Sequence, residues 1–191
     1  TPGAQVFQGN TTTENLVSTG STWKYLDNGS NQGTAWRNPG FNDNSWESGA
    51  AELGYGDDDE ATTLSFGPSS NAKYATTYFR HSFNATNVDD YTKLTLGLQR
   101  DDGAVVYLNG NEVARSNMPN GTITYLTTSS NFVSGADERA YFPIDIQPVD
   151  LLNGQNTLAV EIHQYSGTSS DISFDLQLDG LKTTTATPLF L

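Results

Sequence analysis

Segment 94–115, LTLGLQRDDGAVVYLNGNEVAR, constrains the fold more than any other part of this sequence. Its first third alternates leucine with polar or small residues, a period of two that is typical of a strand with one buried face. A second apolar run, 104–108, is followed by Asn109 and Gly110, the dipeptide best suited to a two-residue hairpin turn. Residues 100–103 have the composition of a tight connection between the two runs. The segment therefore predicts an antiparallel meander of three strands.

The rest of the chain shows the same signals of short strands joined by turns. Segments 76–84, 157–164 and 171–179 also alternate with period two, and no helical period is sustained. The 18 glycines and seven prolines favour turns. The sequence predicts an all-β fold, an antiparallel β-sandwich or barrel of roughly eight or more strands. We expect a lead-in over 1–20 with an edge strand near 4–8, one domain over 21–182 and the start of a linker over 183–191.

The charge of the chain limits its partners. Nine basic residues against 22 acidic ones give a formal net charge of −13, which argues against nucleic acid as a partner. The sequence has no stretch of 18 apolar residues, so it predicts no membrane-spanning helix. There is no cysteine for a disulfide, a thiolate metal site or a nucleophile. Solubility explains such a charge, and calcium binding is a second explanation.

Five segments carry a resemblance to a known family. They are Trp23-x-Tyr25, FNDNSW over 41–46, YFRHSF over 78–83, VVYLNG over 105–110 and NGQNTLAV over 153–160. Together they resemble the jelly-roll, sugar-binding-type domain of family 2 glycosidases, within the galactose-binding-domain-like superfamily. The resemblance covers most of 21–181.

The resemblance implies a jelly-roll sandwich that accompanies a catalytic domain and often binds carbohydrate with a structural calcium ion. The acid and nucleophile of those glycosidases lie on a separate barrel domain, so the resemblance implies no activity for this chain. Asp101-Asp102-Gly103 is also similar to the Asp-Asp-Gly of calcium-dependent lectin modules of the anthrax-protective-antigen and yeast-flocculin type. Arg100, which precedes it, is not part of that pattern.

Two acidic clusters are candidate calcium sites. One is Asp57, Asp58, Asp59 and Glu60, and the other is Asp101 with Asp102. Ca²⁺ takes six to eight oxygen ligands, of which adjacent aspartates and backbone carbonyls can supply half. A solvated loop is the alternative for the first cluster, and turn-forming aspartates are the alternative for the second.

Polar and aromatic residues at strand ends are candidate sugar ligands. If the ends of two strands meet at one rim of a sandwich, the following seven residues form a single cluster: Arg100, Asp101, Asp102, His163, Gln164, Tyr165 and Asp171. Carboxylates and guanidinium groups bind hydroxyls, while sugar rings stack on aromatic rings. The irregular segment 33–56 adds Trp36, Trp46 and Tyr55 as candidates. An ion pair that only fixes the loop is the alternative for Arg100, and plugging the sandwich is the alternative for the two tryptophans.

No catalytic pattern stands out in the sequence. There is no G-x-S-x-G motif, and nothing distinguishes a pair of carboxylates for glycoside hydrolysis. We expect a non-enzymatic, monomeric accessory module, secreted or at the cell surface, that binds a carbohydrate ligand and calcium beside other domains of its parent chain. The alternatives are a structural or protein-docking sandwich without sugar binding and a small lyase or hydrolase that acts on polysaccharide.

Overall fold

The computed structural model describes residues 10–184, which form two six-stranded sheets packed face to face. The strands are β1 (Asn10–Val17), β2 (Thr22–Leu26), β3 (Glu47–Ala50), β4 (Leu53–Tyr55), β5 (Thr62–Thr63), β6 (Thr76–Ala85), β7 (Tyr91–Asp101), β8 (Gly103–Leu108), β9 (Asn111–Ser116), β10 (Phe142–Ile146), β11 (Gly154–His163) and β12 (Ile172–Thr184). Single 3₁₀ turns are the only helical elements in this range: Ala35–Arg37, Val88–Asp90, Gly135–Asp137 and Pro148–Asp150. The predicted all-β sandwich is confirmed.

The strand order explains how distant segments come together. The first sheet has the order β10-β7-β12-β4-β5, and β1 also pairs with β12. The second sheet has the order β3-β2-β6-β11-β8-β9. Every pair is antiparallel except the short β4–β5 pair. Strands that lie far apart in sequence therefore occupy the middle of each sheet.

The main core lies between the sheets and contains the residues that alternate with period two. Leu94, Leu96 and Leu98 of β7 and Leu158 and Val160 of β11 are all fully buried there. Burying such side chains contributes roughly 1.5–3 kcal/mol each, which favours the observed register over a slip by one residue.

Replacing a core residue is therefore expected to be costly. Leu96→Ala and Val160→Ala should each lower the free energy of unfolding by about 2–4 kcal/mol, through lost burial and the cavity that remains. Leu152→Ala is the control, because Leu152 is 51% exposed, and it should change that energy by only about 0.5 kcal/mol. Urea denaturation measures all three. Equal losses in the three variants would contradict this assignment of the core.

The predicted three-strand meander is wrong in one respect. β7 belongs to the first sheet and β8 to the second, and only Asp102 connects them. Both neighbours of β7 are other strands, β10 and β12, whereas β8 pairs with β11 and β9. The predicted hairpin from β8 to β9 is present, with Asn109 and Gly110 at φ values of 52° and 93°. The chain thus crosses between sheets at the acidic segment.

A second apolar cluster covers the outer face of the second sheet. It contains Trp36, Trp46, Tyr78, Val105, Tyr107, Ile123 and Ala159. The loop 27–46 and the loop 117–130 supply the covering side chains. This cover explains why all six residues of β8 are buried, since one face of the strand meets the main core and the other meets this cluster. It also explains the aromatic residues of the irregular segment.

The ends of the domain differ from the prediction. β1, which lies inside the expected lead-in, pairs along its length with β12, so residues 10–17 belong to the sandwich. β12 continues to Thr184, which places the first two residues of the expected linker in a strand. The expected edge strand near 4–8 and the rest of that linker lie outside the described residues. Within 10–184, no helix is long and apolar enough to cross a membrane.

Candidate functional site

The ends of four strands bring the predicted acidic and polar residues to one rim. Asp101, at the end of β7, is opposite Ser173 of β12, and Gly103, at the start of β8, is opposite His163 of β11. The loop that follows β11 then passes close to Asp102. The structure thus places residues 100–102 and 163–171 side by side, and loop 117–141 packs against both.

Asp102 ties three loop segments together. Its side chain is almost fully buried. One carboxylate oxygen accepts a hydrogen bond from the backbone N–H of Val133 at 2.7 Å. The other accepts from the backbone N–H of Tyr165 at 2.7 Å and from Ser169 Oγ at 3.1 Å. Because charge-assisted bonds of this kind are among the stronger hydrogen bonds, Asp102 fixes the shape of the rim.

Asp101 has no such partners. Its side chain is 0% exposed, and neither carboxylate oxygen has a hydrogen-bond partner within residues 10–184. Burial, followed by the adjacent carboxylates of Asp102 and Asp171, raises the pKa of Asp101 to about 10. A buried carboxylate normally has partners, so these two oxygens are positioned to accept a proton or a cation.

Arg100 does not neutralise this carboxylate. Its Nε donates to Ser116 Oγ at 2.9 Å, and its guanidinium group lies 4.4 Å from the centre of the Phe142 ring. Among the described residues it forms no ion pair, and burial lowers its pKa. The interpretation of Arg100 as an ion-pair partner of the nearby aspartates is therefore wrong, and its burial keeps the side chain away from a sugar at the rim.

Asp171, whose charge contributes to the raised pKa of Asp101, and its hydrogen-bond partner Gln164 carry further oxygen atoms at the rim. Asp171 is nearly buried, and one of its oxygens accepts from Ser170 Oγ at 2.8 Å. Gln164 donates its amide N–H groups to Tyr55 Oη and to the Asp171 carbonyl, which leaves the buried Gln164 Oε1 without a partner in the described part of the chain. Among residues 10–184, the buried side-chain atoms of Asp101 and Gln164 that lack a hydrogen-bond partner are all oxygens.

The acidic set extends along the rim. Carboxylate oxygens of Asp57, Glu138 and Asp171 lie within 4.8 Å of one another, as do those of Glu52, Asp57 and Asp59. Burial and then the charge of Asp171 raise the pKa of Asp57, and burial also raises the pKa of Glu52 and of Glu138. Of the predicted 57–60 cluster, the structure thus brings Asp57 and Asp59 to the rim.

The other two members of the 57–60 cluster play local roles. Asp58 is exposed in a left-handed backbone conformation with φ of 62°. Glu60 accepts the backbone N–H of Asp57 at 2.9 Å. Asp58 and Glu60 are not part of either carboxylate group that lies within 4.8 Å, so their role as metal ligands stays a prediction.

Two aromatic rings project from the rim into solvent. Tyr165 is 45% exposed and Phe132 is 65% exposed, and their rings meet edge to face with centroids 6.1 Å apart. Asp102 accepts the backbone N–H of Tyr165 itself and that of Val133, the residue after Phe132. The sequence predicted Tyr165 but not Phe132, which lies in a loop without periodicity.

Four other predicted ligands are not available to a sugar at the rim. Trp36 and Trp46 are buried in the second apolar cluster, and Tyr55 is buried in the main core. Burial raises the pKa of the Tyr55 phenol far above its ordinary value. His163 is fully buried, with Nδ1 donating to the Thr127 carbonyl at 2.7 Å and Nε2 3.4 Å from Glu161. The assignments of Trp36, Trp46 and His163 are wrong because the loops 27–46 and 117–130 cover the second sheet, and that of Tyr55 is wrong because its ring packs into the core between the sheets.

Comparison with solved structures finds this fold within glycosidases. The β-glucuronidase of Bacteroides uniformis matches with a TM-score of 0.56 and 15% identity, over 90% of this chain and 18% of that one. Bacteroides uniformis β-glucuronidase 2, bound covalently to cyclophellitol-6-carboxylate aziridine, matches with a TM-score of 0.54 and 16% identity, over 90% of this chain and 18% of that one. A β-glucuronidase from glycoside hydrolase family 2 matches with a TM-score of 0.53 and 17% identity, over 92% of this chain and 18% of that one.

These matches show a likeness of fold. The expected β-sandwich fold is confirmed, and it is similar to part of these glycosidases. The chain spans about a fifth of the length of the glycosidases that it matches. No family model and no curated protein matches the sequence.

Proposed function

We propose that this chain is a non-catalytic, carbohydrate-binding module of a secreted or cell-surface multidomain protein, and that it holds Ca²⁺ beneath its binding rim. The observation that carries the proposal is Asp101, which is fully buried and whose two carboxylate oxygens have no hydrogen-bond partner among the described residues. The exposed aromatic rings of Tyr165 and Phe132, on the loops that Asp102 holds, give the rim a surface that suits a sugar ring.

The residues around Asp101 fit Ca²⁺ better than other common metal ions. Asp101, Asp171 and the Gln164 Oε1 atom would supply hard oxygen ligands, and carboxylate oxygens of Asp57 and Glu138 lie within 4.8 Å of one of Asp171. Zn²⁺ prefers nitrogen and sulfur ligands, yet the chain has no cysteine, and His163 Nε2 faces Glu161 instead. When bound, Ca²⁺ supplies a positive centre that neutralises these carboxylates and accepts oxygen ligands such as hydroxyls.

The aromatic pair supports binding of a sugar rather than an ion alone. A sugar ring presents an apolar face, which stacks on an exposed aromatic ring, and hydroxyls, which bind to carboxylates. Tyr165 and Phe132 provide the first kind of contact. Asp102 holds both loops in place, so little ordering cost remains at the moment of binding.

The comparisons support the coarser part of the proposal. They liken this chain to about a fifth of several multidomain glycosidases, which fits a module that acts beside other domains of the same chain. Fold alone does not license an activity. The role of Asp102 favours one rival, a structural or protein-docking sandwich, because its three hydrogen bonds would fix the rim even if nothing bound there.

The rim aromatics test the proposal. Tyr165→Ala and Phe132→Ala should each weaken retention by polysaccharide about tenfold or more, with melting temperatures close to that of the wild type because both rings are largely exposed. Val149→Ala changes a side chain that is 81% exposed and lies near the Asn109–Gly110 turn at the other end of β8, so this variant should retain full binding. Affinity electrophoresis in gels that contain xyloglucan, galactomannan, laminarin or alginate measures retention.

Two outcomes would favour the structural rival. One is a wild-type chain that none of these polysaccharides retards. The other is retention by both rim variants equal to that of Val149→Ala.

A further inference from the structure

Four asparagines of the sequence are followed directly by glycine. They are Asn28, Asn109, Asn120 and Asn153. Glycine has no side chain, so its backbone nitrogen can approach the side-chain amide carbon of the preceding asparagine closely. The approach also requires that the amide group be free to turn towards the backbone. The four sites therefore differ in reactivity according to the hydrogen bonds that hold each amide.

The reaction that this approach permits needs only water. The glycine nitrogen forms a bond to the asparagine Cγ, the bond from Cγ to the side-chain nitrogen breaks, and ammonia leaves with the proton of the glycine N–H. The product is a succinimide ring. Water then opens this ring at one of its two carbonyl groups, which gives aspartate or isoaspartate. Either product is ionised at neutral pH, so a carboxylate replaces a neutral amide.

Asn109 is held by hydrogen bonds at both ends of its amide. Its Nδ2 donates to the Asp150 carbonyl and to Asn156 Oδ1, each at 2.8 Å. Its Oδ1 accepts the backbone N–H of Thr157 at 2.9 Å. Three hydrogen bonds must therefore break before this amide turns towards Gly110, which raises the barrier to the reaction.

Asn28 and Asn153 are each restrained at the side-chain oxygen. Asn28 Oδ1 accepts the backbone N–H and the hydroxyl of Ser30, at 3.0 and 2.5 Å. Asn153 Oδ1 accepts the backbone N–H of Val88 at 3.2 Å. We expect these two sites to react more slowly than a free amide and faster than Asn109.

Asn120 is exposed, and its amide is free to turn. Within residues 10–184 its side chain forms no hydrogen bond, although the preceding carbonyl, that of Pro119, accepts Arg115 Nη1 at 2.8 Å. Gly121 is exposed too, with φ of 93°, and no atom beyond its chain neighbours lies within 4 Å of the position that a Cβ would take. Its backbone N–H has no backbone acceptor in the described range. Both reacting groups are therefore unrestrained at this site.

We propose that Asn120 is a site of spontaneous deamidation, which converts it to aspartate and isoaspartate while Asn109 stays intact. The modification adds one negative charge to a chain that already carries −13. Isoaspartate also lengthens the backbone by one atom, next to the point where Arg115 holds the loop. The modified residue is then a substrate for methyltransferases that use S-adenosylmethionine to esterify isoaspartyl carboxylates. No residue of the calcium-binding rim takes part, so this site is independent of the proposed function.

Ageing of the native protein in mildly alkaline buffer tests this proposal. Peptide mapping by mass spectrometry follows each of the four sites, and a purified isoaspartyl methyltransferase with labelled S-adenosylmethionine counts isoaspartate. Asn120→Gln removes the reactive pair at little structural cost, because Asn120 is exposed. Asn44→Gln is the matched control, since Asn44 is also exposed but precedes serine. The same chain unfolded in urea, where the hydrogen bonds of the fold are absent, provides the reference rates.

We expect Asn120 to deamidate about tenfold faster than Asn109, or more, in the native protein, and at a similar rate to Asn109 in urea. Asn120→Gln should lose most of the isoaspartate, whereas Asn44→Gln should form as much as the wild type. Three results would overturn the proposal. They are a native Asn109 that reacts as fast as Asn120, the same difference between the two sites in urea, and an Asn120 that stays intact while the unfolded chain is converted.

Discussion

Millimolar Ca²⁺ is expected to raise the unfolding temperature of the wild-type chain by about 5–10 °C and to leave that of Asp101→Asn nearly unchanged. An ion that binds only the native state stabilises it by about 2.7 kcal/mol at roughly 100-fold excess over Kd. Without the ion, the pKa of about 10 keeps Asp101 protonated at neutral pH. Asparagine then replaces a neutral group of the same shape, so the variant should fold normally in EDTA.

The pH dependence of stability gives an independent measure of the same group. The native pKa of Asp101 is raised above its unfolded value, so its proton stabilises the native state fully below about pH 4. That contribution is lost as the pH rises towards the native pKa of about 10. In EDTA, stability of the wild type should therefore fall over this range more steeply than that of Asp101→Asn.

Calcium binding should also release protons. Near pH 7, Ca²⁺ displaces the proton of Asp101, so titration in two buffers of different ionisation enthalpy should report about one proton released per ion. Coincident melting curves in EDTA and in Ca²⁺, with no proton released, would show that Asp101 is simply a buried carboxylic acid.

Asp102→Ala is expected to lower the free energy of unfolding by about 3–5 kcal/mol. The change removes the acceptor of three hydrogen bonds, two from backbone N–H groups and one from Ser169, in a place that water does not reach. The loops that carry Phe132 and Tyr165 lose their common anchor, so carbohydrate retention should fall as well. Chemical denaturation and hydrogen exchange of residues 131–134 and 165–169 measure the two effects.

Asp145→Ala is the matched control for Asp102→Ala. Asp145 also accepts hydrogen bonds from two side chains, Thr95 and Lys93, but it lies on the exposed surface of β10. At an exposed position water can take the place of the lost carboxylate at little cost, so the free energy of unfolding of Asp145→Ala should remain close to that of the wild type. Equal stability of Asp102→Ala and Asp145→Ala would contradict the anchoring role of Asp102.

Local sequence patterns were sufficient to predict most strands and some of the residues at the rim. The leucines of β7 and the Asn109-Gly110 turn follow from period and turn chemistry, which act over a few residues. The crossing of the chain from one sheet to the other at Asp102 could not be predicted in this way, because a local sequence pattern does not show which strands become neighbours. A strand buried on both faces, as β8 is, was the signal that a second layer covers this sheet.

The parts of the site that sequence reasoning missed are contributed by distant segments. Glu52 and Glu138 reach the acidic rim from β3–β4 and from the loop before β10, and no spacing links them to Asp101. Phe132 lies in a loop without periodicity. Trp36 and Trp46 were ambiguous for the same reason, since an aromatic residue in an irregular loop can plug the core or project from it.

Under this proposal, buried Asp101 holds a calcium ion, and carbohydrate binding at the rim depends on that ion. Affinity electrophoresis of the wild type and of Asp101→Asn, in Ca²⁺, in EDTA and after Ca²⁺ is restored, tests it most directly. The prediction is that the wild type is retarded strongly in Ca²⁺, less in EDTA and strongly again on restoration, while Asp101→Asn shows the weaker retardation throughout. Retardation of the wild type that is identical in Ca²⁺ and EDTA, or equal retardation of the two proteins in Ca²⁺, would contradict it.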